Sequence, residues 1–178
     1  MLGVDLVLPD FSWLLERGYP TRLDPPSRPV TGCARFTRPG PVPLCIAGSP
    51  GHQRNVDILQ VPGTNIYVNK VWFASVAAFV EAASARGYTL LAEGTNDLPD
   101  WMFAPGSWRS YDEQLYLYTH GYPANPPGKS MHEWGLAVDL ECNGHDITKT
   151  TWCWKWAVEN GPSFGLRVFR TVDAITDS

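Results

Sequence analysis

The sequence predicts an α+β domain: a small, mainly antiparallel sheet packed with helices. Three observations lead there. Short runs with strand character occur at 56–61, 66–68, 88–92, 135–140 and 164–169. Between them, apolar residues recur at helical spacing. Glycine and proline number 16 each, so connections are many and regular elements short. A chain of 178 residues suits a single domain with a sizeable core.

Residues 1–55 read as a Pro-rich, irregular N-terminal extension, and 56–178 as the folded domain. From Pro20 to Pro50 prolines recur every few residues, which forbids long helices and central strands. A short helix ended by Gly18 is expected near Trp13. Val56 to Val61 forms a strand closed by Pro62-Gly63. Trp72, Val76, Phe79, Val80 and Ala83 then make one helical stripe, with Gly87 as the stop. Ser110-Tyr111-Asp112-Glu113 is a capping box, and it opens a helix ended by Gly121. The expected buried face of that helix is Tyr111, Leu115 and Tyr118. A third helix, rich in tryptophan, runs over 150–160 and is closed by Gly161-Pro162.

The formal net charge is −4 and there is no Lys/Arg cluster, so nucleic acid is not an expected partner. No apolar run approaches the roughly 20 residues of a membrane span. The start, Met1 to Leu6, has an early aspartate and no positive charge, unlike a secretory signal peptide. The eight tryptophans are expected mostly in the core rather than as a carbohydrate platform. Cys33 lies near Cys45, and Cys142 near Cys153, with no C-x-x-C, so a cysteine zinc site is not expected. Two local disulfides, which fit an extracytoplasmic place of action, and four buried thiols both remain open. A monomer is expected.

The most informative stretch runs from Ser130 to Asp139 and reads S-x-H-x-x-G-x-A-x-D. Side chains alternate along a strand. Gly135, Ala137 and Asp139 therefore share one face, and Leu136, Val138 and Leu140 the other. Two small residues followed by a carboxylate, beside a loop histidine, leave room for an ion. Imidazole nitrogen and carboxylate oxygen are ordinary zinc ligands. His132 and Asp139 are thus the candidate metal ligands. Arg109 stands immediately before the capping box. A guanidinium beside a helix N-terminus favours an anion there. Gln114 is expected to support Arg109 or the neighbouring loop.

The motif at 130–139 and the S-x-R-S-x-x-x-Q element at 107–114 resemble those of the VanY-type D-alanyl-D-alanine carboxypeptidases. These zinc peptidases are related to lysostaphin-type wall hydrolases and to the hedgehog domain. The resemblance covers about 55–178 and implies their compact fold. It implies Zn2+ held by His132 and Asp139, and a catalytic Arg109 that steadies an oxyanion or a substrate carboxylate. Replacing Arg109 is then expected to cost catalysis with little change in folding. Ser130 and Gln114 are expected to bind substrate or support the site. The implied substrate is a peptidoglycan stem peptide, cut by a carboxypeptidase or a cell-wall endopeptidase. The implied location is extracytoplasmic or the cell wall, reached as a phage lysin is or through an N-terminus missing from this chain.

Members of that family take a third ligand and the general base from a late E-x-W-H element. Nothing after Asn160 matches it, so truncation at the C-terminus is expected, and with it weak zinc binding and little catalysis. His145 is the one replacement considered, and its turn is expected to lead it away. His52 and His120 are expected in solvent. Glu133 is not expected to be the base, and Glu141 is expected to be solvated. The rival reading is a non-catalytic module of the same fold that binds wall peptide or protein.

Overall fold

The computed structural model describes residues 4–7, 41–44, 54–94, 98–99, 102, 106–127, 129–147 and 149–170. The strands are β1 (Val4–Val7), β2 (Pro41–Leu44), β3 (Arg54–Gln60), β4 (Tyr67–Asn69), β5 (Leu90–Ala92), β6 (Ala137–Cys142), β7 (His145–Asp146) and β8 (Arg167–Arg170). The helices are α1 (Phe73–Ser84), α2 (Tyr111–Thr119) and α3 (Trp152–Asn160), and a 3-10 turn follows at Gly161–Phe164. The larger sheet has the order β5-β6-β1-β8, with β7 folded back on β6. The smaller has the order β2-β3-β4. Every pairing is antiparallel, as the α+β expectation requires.

β6 organises the larger sheet because its two faces differ so sharply. Leu136, Val138 and Leu140 are fully buried in the core with Ile66, Val68 and the α1 residues Val76, Phe79 and Ala83. Burying such side chains is worth roughly 1.5–3 kcal/mol each. Asp139 lies on the other face. In register, Ala92 stands opposite Leu140, Leu90 opposite Cys142, and Asp5 opposite Asp139. β6 ends in a tight hairpin at Asn143-Gly144, where both φ angles are positive, 53° and 75°. That is the signature of a two-residue turn matched to strand twist.

Several expectations need correction. Residues 1–55 read as irregular, yet they supply β1 and β2, and β1 lies inside the larger sheet. A four-residue strand leaves little periodicity to read. The helix expected near Trp13 falls outside the described residues. On α2 the buried residues are Glu113, Gln114 and Leu117. Leu115 and Tyr118 are exposed and Tyr111 is half-buried. The helix is turned to bring polar side chains inward, which an apolar stripe cannot anticipate. The helix expected over 150–160 does end at Asn160 with Gly161 as its cap, and a 3-10 turn follows from Gly161.

Other expectations hold. Trp72, Trp108 and Trp134 belong to the core, and Trp154 and Trp156 pack against it. Among the described residues Trp152 alone of the tryptophans is exposed. Cys142 and Cys153 form a disulfide that ties β6 to α3. Cys33 and Cys45 lie outside the described residues. No helix among the described residues is long and apolar enough to cross a membrane.

Gly135 does not simply leave room for an ion. Its φ is +64°, and a Cβ there would stand 2.8 Å from the Asn69 nitrogen and 2.7 Å from Ile58 Cδ1. Its carbonyl accepts from Asn69 N at 2.8 Å and from Trp72 Nε1 at 2.7 Å. Gly135→Ala is expected to lower stability by roughly 2–4 kcal/mol, from left-handed strain plus overpacking. Chemical denaturation checks this, and a loss below about 0.5 kcal/mol would show that the backbone relaxes freely.

Candidate functional site

The site is assembled from three backbone segments. The first is β6, which presents Asp139 away from the core. The second is the turn over 130–135. In it, Ser130 Oγ accepts from His132 N at 3.3 Å, and Gly135 N donates to His132 O at 2.9 Å. Glu133 Oε2 accepts from Ser130 N at 3.4 Å. The third is the segment 106–110, which continues the sheet where β5 stops. Asp139 N donates to Gly106 O at 2.7 Å while Glu93 N donates to Asp139 O at 2.8 Å. A Cβ at Gly106 would run into the Glu93 backbone; only glycine passes so close.

The segment 106–110 then fixes His132. Its Nδ1 lies 2.7 Å from Ser107 O. A carbonyl only accepts, so Nδ1 carries the proton and the neutral ring offers a lone pair at Nε2. His132 is held below the usual histidine range, at about 4, by burial and then by Arg109, against opposing pulls from Asp139 and the Ser107 hydrogen bond. At neutral pH the ring is therefore uncharged. Nε2 faces Asp139 Oδ2 at 3.5 Å. Two ligands with metal bonds near 2 Å stand about 3–4 Å apart, so this spacing suits a shared ion.

Arg109 reaches the same cleft. Its amide donates to His132 O at 3.2 Å, and its Nη2 lies 2.8 Å from Asp139 Oδ2. Nη1 donates to Gln114 Oε1 at 3.4 Å, and Gln114 Nε2 donates to Asn125 O at 2.7 Å. Gln114 is thus a strut between Arg109 and the loop after α2, and it is fully buried. The expected capping box is present: Ser110 N donates to Glu113 Oε2 at 2.6 Å, and Glu113 N to Ser110 Oγ at 3.3 Å. It sets the start of α2 and so the position of Arg109.

Among the described residues no group of three His, Cys, Asp or Glu is placed to hold a metal ion. Among the described residues, His132 and Asp139 have no third such group beside them. His145 is exposed on β7. His120 is exposed too, stacked on Tyr116 at 3.8 Å with its Nδ1 2.9 Å from Tyr116 O. His52 lies outside the described residues. Glu141 is half-buried, opposite Asp146.

Sequence reasoning missed Glu93. It follows β5 directly and lies beside Asp139 on the neighbouring strand. Burial pushes its carboxyl up to about 7, helped by Asp139 and Asp146 and opposed by Arg109. The signal was faint: an acid between a strand and a glycine, in Ala92-Glu93-Gly94, means little until the strand pairing is known.

No protein-family model and no curated protein matches the chain. Among solved structures, the LdcB LD-carboxypeptidase, whose structure reveals the molecular basis of peptidoglycan recognition, is similar over 65% of this chain at 23% identity, with a TM-score of 0.47. The chain spans 59% of that protein.

The ion pair revises one expectation. The Arg109 and Asp139 side chains are only 11% and 13% exposed, so removing Arg109 strands a buried carboxylate. Arg109→Ala is expected to cost roughly 3 kcal/mol of stability. Adding Asp139→Asn should recover most of it in a double-mutant cycle, and additive losses would show the pair is not coupled.

A pH effect follows for the metal-free protein. Stability falls as pH drops from 6.5 towards 4, because the unfolded His132 ring takes a proton that the folded ring refuses. Stability also falls as pH rises from 4.5 to about 7, because unfolded Glu93 ionises first. Glu93→Gln removes only the second loss. Its advantage over the parent should grow by roughly 1–2 kcal/mol across that window and stay level above it. Denaturation at several pH values with a chelator present measures this; an advantage independent of pH would place the Glu93 carboxyl in water.

Proposed function

We propose that this is the site of a zinc-dependent peptidase acting on peptidoglycan stem peptides. One observation carries the reading. His132 Nε2 and Asp139 Oδ2 are two acceptors facing each other at 3.5 Å, with the other ring nitrogen committed to Ser107. Arg109 balances this carboxylate from one side, and a cation between the lone pair and the carboxylate would find a donor atom on each. The carbonyl behind the ring also matches the outer support usual for a metal-bound histidine. When bound, zinc polarises a carbonyl and lowers the pKa of its water.

The chain's own residues orient and balance charge. His132 stays neutral and fixed. Arg109, half-buried at the start of α2, offers its guanidinium to a substrate carboxylate or to negative charge developing at the cleaved carbonyl. Gln114 holds it there. The S-x-H-x-x-G-x-A-x-D and S-x-R-S-x-x-x-Q elements supply the substrate class through their resemblance to the VanY-type peptidases. The Cys142–Cys153 disulfide supports action outside the cytoplasm.

The two-donor set favours a second reading, a wall-peptide-binding module of the same fold without hydrolysis. Metal analysis, peptide binding and hydrolysis together decide between them. The protein is expected to bind zinc weakly, with His132→Ala and Asp139→Asn each weakening it at least tenfold. It should bind a D-alanyl-D-alanine-terminated stem peptide and cleave it slowly at saturating zinc. Binding without cleavage selects the module. Cleavage that survives a chelator or His132→Ala sinks the zinc reading, and no peptide binding at all sinks both.

A further inference from the structure

The outer face of α3 carries aromatic surface that the proposed reaction leaves unused. Trp152 is 74% exposed, and Lys155 Nζ lies 5.5 Å from its ring centre. That cation steadies the indole from one side. A single exposed apolar residue is ordinary, whereas a contiguous group marks a binding surface. Here the surface continues. Trp156 stands one turn on from Trp152, and helix residues four apart are neighbours. Its ring lies 5.9 Å from that of Tyr88, and Tyr88 lines an open groove of about 640 Å³. The groove runs between α1, the start of β5 and the turn after β3. Val61, Val80 and Leu90 supply its buried apolar lining. Glu81, Ser84 and Thr89 stand exposed along it. Leu90 in the groove and Glu93 beside Asp139 are three residues apart, so roughly 10 Å of strand separates the groove from the cleft.

The make-up of this surface limits what it can hold. No basic side chain among the described residues lines the groove, so an anionic ligand finds no counter-charge in it. A small apolar molecule needs a pocket that encloses most of its surface, and an open groove does not. A saccharide matches both halves of the surface. The C–H face of a sugar ring is flat and apolar and stacks on an aromatic ring, while its hydroxyls need donors and acceptors. Ser84 and Thr89 offer both, and the Glu81 carboxylate accepts. Rings in a row beside an open groove suit an extended chain. We propose that Trp152, Trp156, Tyr88 and the adjoining groove bind a neutral glycan strand. This surface is separate from the His132–Asp139 cleft and does not depend on what that cleft cleaves.

The test uses the full chain with its disulfide intact. The probes are chitopentaose, a neutral β-linked saccharide, followed by calorimetry, and insoluble wall glycan stripped of its peptides, followed by co-sedimentation. Both are expected to bind. Trp152→Ala should weaken chitopentaose binding roughly tenfold through loss of one stacking ring, and should lower co-sedimentation. Trp152→Phe should fall between the parent and the alanine variant. Glu81→Ala should weaken binding about threefold through loss of one hydrogen-bond acceptor. His132→Ala should leave glycan binding unchanged. Unaltered affinity in Trp152→Ala overturns the proposal, and so does saccharide binding that is lost with His132, which places the sugar in the cleft. Failure of the parent to bind either glycan overturns it too, while stem-peptide binding would still uphold the cleft. A free stem peptide that depends on Trp152 when chitopentaose does not bind assigns the surface to peptide and likewise sinks the glycan reading.

Discussion

The hydrogen bonds made by residues 106–109 hold the polar face of the larger sheet in place. Gly106 takes the amide of Asp139, Ser107 takes the ring of His132, and Arg109 donates its own amide back to the His132 carbonyl. β5 ends at Ala92, and this segment replaces the strand that would otherwise continue beside β6. A sheet edge is thereby closed with loop backbone, whose direction is free to deliver a histidine anchor and an arginine within four residues. Ser107 secures the other side of the segment through Tyr67, whose amide donates to Ser107 Oγ at 2.6 Å. The smaller sheet and the site are therefore one mechanical unit.

Charge on this face is balanced tightly. One guanidinium serves Asp139 and leans on Gln114. One neutral ring faces the same carboxylate. In such low-dielectric surroundings each polar contact weighs more than in water, and each missing one costs more. That explains why α2 turns Glu113 and Gln114 inward at the expense of Leu115 and Tyr118. The helix packs to complete a polar network, and the core is filled elsewhere, by β6, α1 and the tryptophans.

What was legible in the sequence was local. His132, Asp139, Arg109 and the capping box sit in short motifs whose spacing carries their geometry, and α1 shows its stripe. The alternation of Leu136, Val138 and Leu140 against Ala137 and Asp139 was readable for the same reason. What was not legible depends on distant pairing. β1 joins β6 across more than half the chain, and Glu93 acquires meaning only beside Asp139. The alternation reads Gly135 as the start of the strand, sharing a face with Asp139, yet it lies in the turn before β6 with a φ of +64°. Its missing side chain admits the Asn69 backbone, a contact with a residue far upstream.

The disulfide between Cys142 and Cys153 has a consequence for how this protein is handled. Cys142 is the last residue of the strand that carries Asp139, and the bridge clamps that strand to α3. Closing a loop of this size is worth roughly 2–3 kcal/mol in the chain-entropy view. Material made in a thiol-rich cytosol and material made in an oxidising one are therefore two preparations that share a sequence and differ in rigidity beneath the carboxylate. Redox history therefore belongs among the variables of any measurement on this site.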